Sequence, residues 1–196
     1  MKHITAAALL LIPALAMQPA LAAPFTVQVK NAAGQPLVDA VVAVELRGKP
    51  SRTTTAKAEM GQRDRQFTPQ LLVIQTGTAV NFPNFDTVRH HVYSFSPTKT
   101  FEIKLYAGTP AAPVTFDKPG VATLGCNIHD RMSARIVVVD TPLFARTDAK
   151  GQATLELPAG EHELQLWHAS LRSDQLKAQP LSVGVDGGNT TVTLDD

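Results

Sequence analysis

Apolar and polar residues alternate with period two along most of this chain. After the first two dozen residues, no stretch sustains the spacing of a helix with one buried face. Phe25-Thr26-Val27-Gln28-Val29-Lys30 alternates cleanly. Asn31 to Pro36 breaks the run with turn chemistry, and a second β-rich run follows from Leu37 to Leu46. From Phe67 the same texture predicts strands over 71–74 and 79–82, joined by a tight turn at Thr76-Gly77-Thr78. Further strands are predicted over 88–95, 99–105, 114–116 and 121–125, and later over 153–157, 163–167, 181–185 and 190–194. Ala134-Arg135-Ile136-Val137-Val138-Val139 is so apolar that it predicts a central strand covered on both faces. The expected class is all-β.

The start of the chain reads differently. Lys2 and His3 precede an apolar run from Ile4 to Leu15 and then Ala20-Leu21-Ala22, the form of a secretory leader with its cleavage site. A signal peptide is therefore expected over 1–22, and an exported, periplasmic protein after it. The remaining 174 residues are enough for one domain or two small ones, and no other stretch is apolar enough to span a bilayer. Setting the leader's Lys2 aside, seventeen basic side chains face seventeen acidic ones. That balance gives no reason to expect nucleic acid or anionic lipid as a partner.

Exported proteins usually pair their thiols, yet Cys126 is the chain's single cysteine. It sits in Gly125-Cys126-Asn127-Ile128-His129-Asp130-Arg131-Met132, with two residues between Cys126 and His129 and two more between His129 and Met132. Thiolate and thioether are soft donors and imidazole is borderline, a set suited to copper; two imidazoles, one thiolate and a long axial thioether make the blue-copper electron-transfer site. A second imidazole must come from elsewhere. Arg89-His90-His91-Val92 offers two adjacent ones at the start of a predicted strand, and alternation lets only one of them face a pocket.

The order of these motifs between about Lys57 and Asp140 resembles the cupredoxin family. The features that carry it are Phe67-x-Pro69 before an apolar strand and glycine turn, Asn81-Phe82 and Asp86 before the histidines, and Pro119-Gly120 before the cysteine strand. The Cys-x-x-His-x-x-Met loop is similar to that of amicyanin-like members, whereas plastocyanin-like members have a longer His-to-Met gap. The chain also looks like exported cupredoxin-like proteins named for methylamine utilisation. The resemblance implies a Greek-key β-sandwich in which His90, Cys126, His129 and Met132 hold one copper ion cycling between Cu(I) and Cu(II). It implies an electron carrier, not an enzyme, whose donor and acceptor are redox proteins such as a c-type cytochrome or a periplasmic dehydrogenase. Two departures stand out. His91 occupies the place of an asparagine that braces the cysteine loop, and Asp130 and Arg131 stand where the amicyanin loop has proline and phenylalanine. Cys-Asn-x-His is also similar to the loop of superoxide reductases, mononuclear iron enzymes with four histidines, and copper handling is a third possibility, although Met60 is the only methionine besides Met132 after the leader.

The flanks resemble another module. Val27-x-Val29, Gly34-x-Pro36-Leu37, Thr147-Asp148-x-x-Gly151 and Pro158-Ala159-Gly160 look like the carboxypeptidase regulatory-like β-sandwich. On that reading the cupredoxin unit, 57–140, is inserted in a discontinuous outer module made of 23–56 and 141–196. The other arrangement is one enlarged sandwich with extra edge strands.

Overall fold

The structure, a computed structural model, describes residues 22–50 and 53–195. The expected leader lies outside the described residues except for Ala22, which opens the first strand. The described residues form seventeen strands and no helix. These are β1 (Ala22–Asn31), β2 (Val41–Leu46), β3 (Lys57–Glu59), β4 (Gly61–Arg63), β5 (Gln66–Thr68), β6 (Leu71–Gln75), β7 (Ala79–Asn81), β8 (His90–Ser96) and β9 (Lys99–Tyr106). There follow β10 (Val114–Thr115), β11 (Gly120–Gly125), β12 (Ser133–Val139), β13 (Phe144–Arg146), β14 (Gln152–Pro158), β15 (Gly160–Trp167), β16 (Lys177–Val183) and β17 (Gly188–Leu194).

A five-stranded sheet, ordered β6-β12-β11-β8-β9, faces a three-stranded sheet, β10-β7-β3. The apolar residues that alternation aims between them close one core: Ile74, Val92, Ala122, Leu124, Ile136 and Val138 from the larger sheet meet Val80, Phe82 and Phe116. The turn expected between β6 and β7 is where glycine is required. Gly77 has φ +95°, and a Cβ there would lie 2.4 Å from the carbonyl oxygen of Thr54.

A second core is built by β1, β2 and the strands from β13 onward, in sheets ordered β14-β1-β17 and β13-β2-β15-β16. Alternation along β1 sends Phe25, Val27 and Val29 into it, where they join Val41 to Val44 and Trp167. Thr147, buried, ties the segment before β2 to the one after β13: its hydroxyl donates to the carbonyl of Leu37 at 2.6 Å and accepts from the amide of Ala40 at 2.8 Å.

Strand β12 explains its own composition. It lies between β6 and β11, with Ile136 and Val138 in the first core and Val137 and Val139 in the second. Both faces of one strand are covered, as its unbroken apolar run predicts. The two cores therefore share a wall.

Four short strands carry too little alternation to be read in advance: β3, β4, β5 and β13. The β4–β5 hairpin turns on Asp64 and Arg65, both left-handed with φ +54° and +59°, a turn normally marked by Asn or Gly. Neither residue type announces it.

Candidate metal centre

Strand β8 begins at the site. His90 is fully buried, and its Nδ1 lies 3.9 Å from the sulfur of Cys126, which follows the end of β11. His129, half-buried on the next turn of the same loop, brings its Nδ1 to 3.8 Å from that sulfur. The two imidazoles meet edge to face with centroids 5.1 Å apart. One donor atom from each of His90, Cys126 and His129 lies within 4.8 Å of the others, a group that can hold a metal ion. Met132 closes the loop with its amide bonded to the carbonyl of His129 at 2.9 Å, and its side chain is buried in the same core as Cys126.

Adjacent histidines part company as alternation requires. His91 sends its Nε2 to Glu102 at 2.9 Å and meets the ring of Tyr93 edge to face, away from the thiol. The pairing with β9 is irregular here, with a register shift between His90 and Val92. Such a bulge re-aims side chains at the strand's end.

The orientation of His90 is set from behind. Its Nε2 donates to Oδ2 of Asp86 at 2.8 Å, which leaves Nδ1 as the free acceptor facing sulfur. Asp86 is itself anchored by the left-handed turn: Oδ1 accepts from the amide of Asp64 at 2.7 Å and Oδ2 from that of Arg65 at 2.9 Å. Burial works against its charge, yet the amide of Arg65, the imidazole of His90 and the amide of Asp64 together hold its carboxyl below the ordinary carboxylate range. Two amides aimed at one carboxylate account for a left-handed backbone that Asp64 tolerates and an arginine such as Arg65 rarely adopts. Asp86 was legible in the sequence as part of the motif before the histidines; the 64–65 turn that anchors it was not.

Two further contacts brace the surroundings. Gln62, fully buried, donates to the carbonyl of Phe82 at 3.1 Å and to the hydroxyl of Tyr106, which in turn donates to that carbonyl at 2.7 Å. Burial above all, with the nearby thiol adding to it, pushes the Tyr106 phenol up to about 12, so it remains a donor. Gly125 allows the ring of Tyr93 to lie directly on the cysteine strand, since a Cβ there would come within 2.7 Å of the ring.

Comparison with other proteins places partial likenesses beside this geometry. No family model and no curated protein matches the chain. Among solved structures, it is similar to a Cu-containing nitrite reductase (NirK) from Thermus scotoductus SA-01, with 25% identity and a TM-score of 0.40 over 52% of this chain and 26% of the reductase. A purple cupredoxin from Nitrosopumilus maritimus matches at 21% identity and a TM-score of 0.37, covering 43% of this chain and 99% of that one. Amicyanin from Paracoccus versutus matches at 16% and 0.37, covering 50% and 97%. About half of this chain takes part in each match.

Proposed function

We propose that this is a mononuclear blue-copper electron carrier of the periplasm, with His90, Cys126, His129 and Met132 as its ligands. The observation that carries the reading is the pair of spacings at sulfur. A metal ion bonded to thiolate at about 2.3 Å and to imidazole at about 2.0 Å would need those donors no more than about 4.3 Å apart. The separations of 3.9 and 3.8 Å match that requirement and lie at the outer edge of what a thiol–imidazole hydrogen bond spans.

Bound copper would supply reversible one-electron chemistry between Cu(I) and Cu(II). The residues supply the rest. His90 is locked by Asp86 and by burial, so it cannot swing when charge changes. Cys126 is buried, with 4% of its surface exposed, and has no disulfide partner, so a bound metal is what would keep it as thiolate. His129 is the ring nearer solvent and the natural contact for a redox protein such as a c-type cytochrome or a periplasmic dehydrogenase. Met132, buried in the core that also holds Cys126, would supply the soft thioether donor. We read the protein as a carrier and not as an enzyme, and the second core as a discontinuous outer module, 23–56 with 141–196, around a copper unit at 57–140.

The superoxide reductase reading needs four imidazoles at one iron. Among the described residues the cluster at Cys126 contains two, while His162 and His168 bond the backbone carbonyls of Pro158 and Val38. Among the described residues no helix is long and apolar enough to cross a membrane. Voltammetry of the copper-loaded protein tests the function: a reversible one-electron wave with one copper per chain is expected. Catalytic turnover of superoxide by an iron-loaded form, with no stable copper wave, would replace the reading.

A further inference from the structure

We infer that the loops over the His90–His129 edge form a docking surface for a carboxylate-rich face of a redox protein; this rests on the copper reading above. Three segments converge there. The β4–β5 turn is tied to the segment before β8 by the bonds from Asp64 and Arg65 to Asp86, and by the amide of Phe85 donating to the carbonyl of Gln62 at 2.9 Å. The cysteine loop is brought to them by the contact of the His90 and His129 rings.

These segments expose both apolar and cationic side chains. Phe85, Val88 and Ile128 are exposed by 53, 37 and 47%. The same three segments carry Arg63, Arg65, Arg89 and Arg131, all exposed. The guanidinium of Arg63 lies 5.0 Å over the ring of Phe85, and among the described residues none of the four is in an ion pair. Against them are two exposed carboxylates, Asp64 and Asp130, since Asp86 is occupied. The chain as a whole is close to charge balance, so this excess is local.

The cation type matters. No lysine lies on these three segments, although the chain has lysines at 99, 104 and 118 on neighbouring elements. Arginine and aromatic side chains are enriched where proteins dock and lysine is depleted. A planar guanidinium also pairs with a carboxylate through two hydrogen bonds at low desolvation cost. Guanidiniums without an ion-pair partner, on the same segments as exposed apolar side chains, therefore match a partner whose exposed cofactor edge is flanked by carboxylates.

The test uses the full exported chain. Hexacyanochromate(III), an inert paramagnetic anion, is titrated into the ¹⁵N-labelled protein, with tris(ethylenediamine)chromium(III) as the cationic control. Broadening is expected at amides of 63–65, 85–89 and 127–131 with the anion alone, and is expected to fall about fivefold or more in R65E/R131E and less in R65Q/R131Q. The copper-loaded protein should then exchange electrons with an acidic c-type cytochrome about tenfold faster than with a basic one at low salt, with the gap closing as salt rises. Anion broadening centred on Lys99, Lys104 and Lys118, or cytochrome rates indifferent to R65E/R131E, would overturn the proposal. The broadening needs no copper, so a mapped anion surface without a copper centre would sink the copper reading alone.

Discussion

The Nε2 of His90 lies 2.8 Å from Oδ2 of Asp86, and the same carboxylate takes two backbone amides from the turn at Asp64 and Arg65. One side chain thus joins a hairpin, a loop and an imidazole. Asp86→Asn keeps the shape but removes the charge that all three donors face. It should destabilise the metal-free protein by about 1–3 kcal/mol at neutral pH and weaken copper binding by about 10- to 100-fold. The sign with pH follows from the carboxyl being held below its ordinary range. Its contribution is present above the unfolded pKa and is lost as pH falls through the lower native one. Urea unfolding from neutral pH into the acid range should show the wild type losing more stability than Asp86→Asn; parallel pH profiles would remove Asp86 from the account.

His90 and His91 are neighbours in sequence and opposites in surroundings, one facing sulfur and the other Glu102. His90→Ala should abolish the copper-dependent colour, whereas His91→Ala should leave it and cost only the Glu102 pairing and the ring contact with Tyr93, about 1 kcal/mol in thermal unfolding. Spectra of the two variants side by side decide the assignment.

A methyl group at position 125 would collide with the end of the Tyr93 ring. Gly125→Ala should therefore lower stability by about 1–3 kcal/mol, and the double variant with Tyr93→Leu should recover part of the loss. If the alanine alone is silent in calorimetry, the ring moves aside freely and does not brace the loop.

Because β12 contributes Ile136 and Val138 to one core and Val137 and Val139 to the other, the cores should melt together. Val137→Ala should cost about 2 kcal/mol and lower a single calorimetric transition. Two separate transitions, only one of them moved by the substitution, would show that the shared strand does not couple the units.

Much of this arrangement is legible in the residues, for physical reasons. Long strands with one covered face, such as β1, show alternation, and β12 shows its two covered faces by losing it. The all-β class follows from those patterns. The loop from Cys126 to Met132 is legible because donor spacing on a short loop is a chemical constraint that sequence records directly. What the sequence leaves out lies in three-residue strands too short for a period and in long-range hydrogen bonds. Arg63-Asp64-Arg65 carries Asp64 as its one turn residue and no glycine, and the left-handed backbone at Arg65 is held by Asp86, more than twenty residues away. That the segments carrying Arg63, Arg65 and Arg89 are tied to one another and, through the His90–His129 contact, to the cysteine loop is likewise a product of folding.

Absorption spectroscopy of the purified protein on addition of one equivalent of Cu(II) tests the central claim most directly. An intense blue or violet thiolate-to-copper band is expected, at one copper per chain, absent in Cys126→Ser and in His90→Ala. A pale, weakly absorbing copper complex that survives both substitutions would contradict the account.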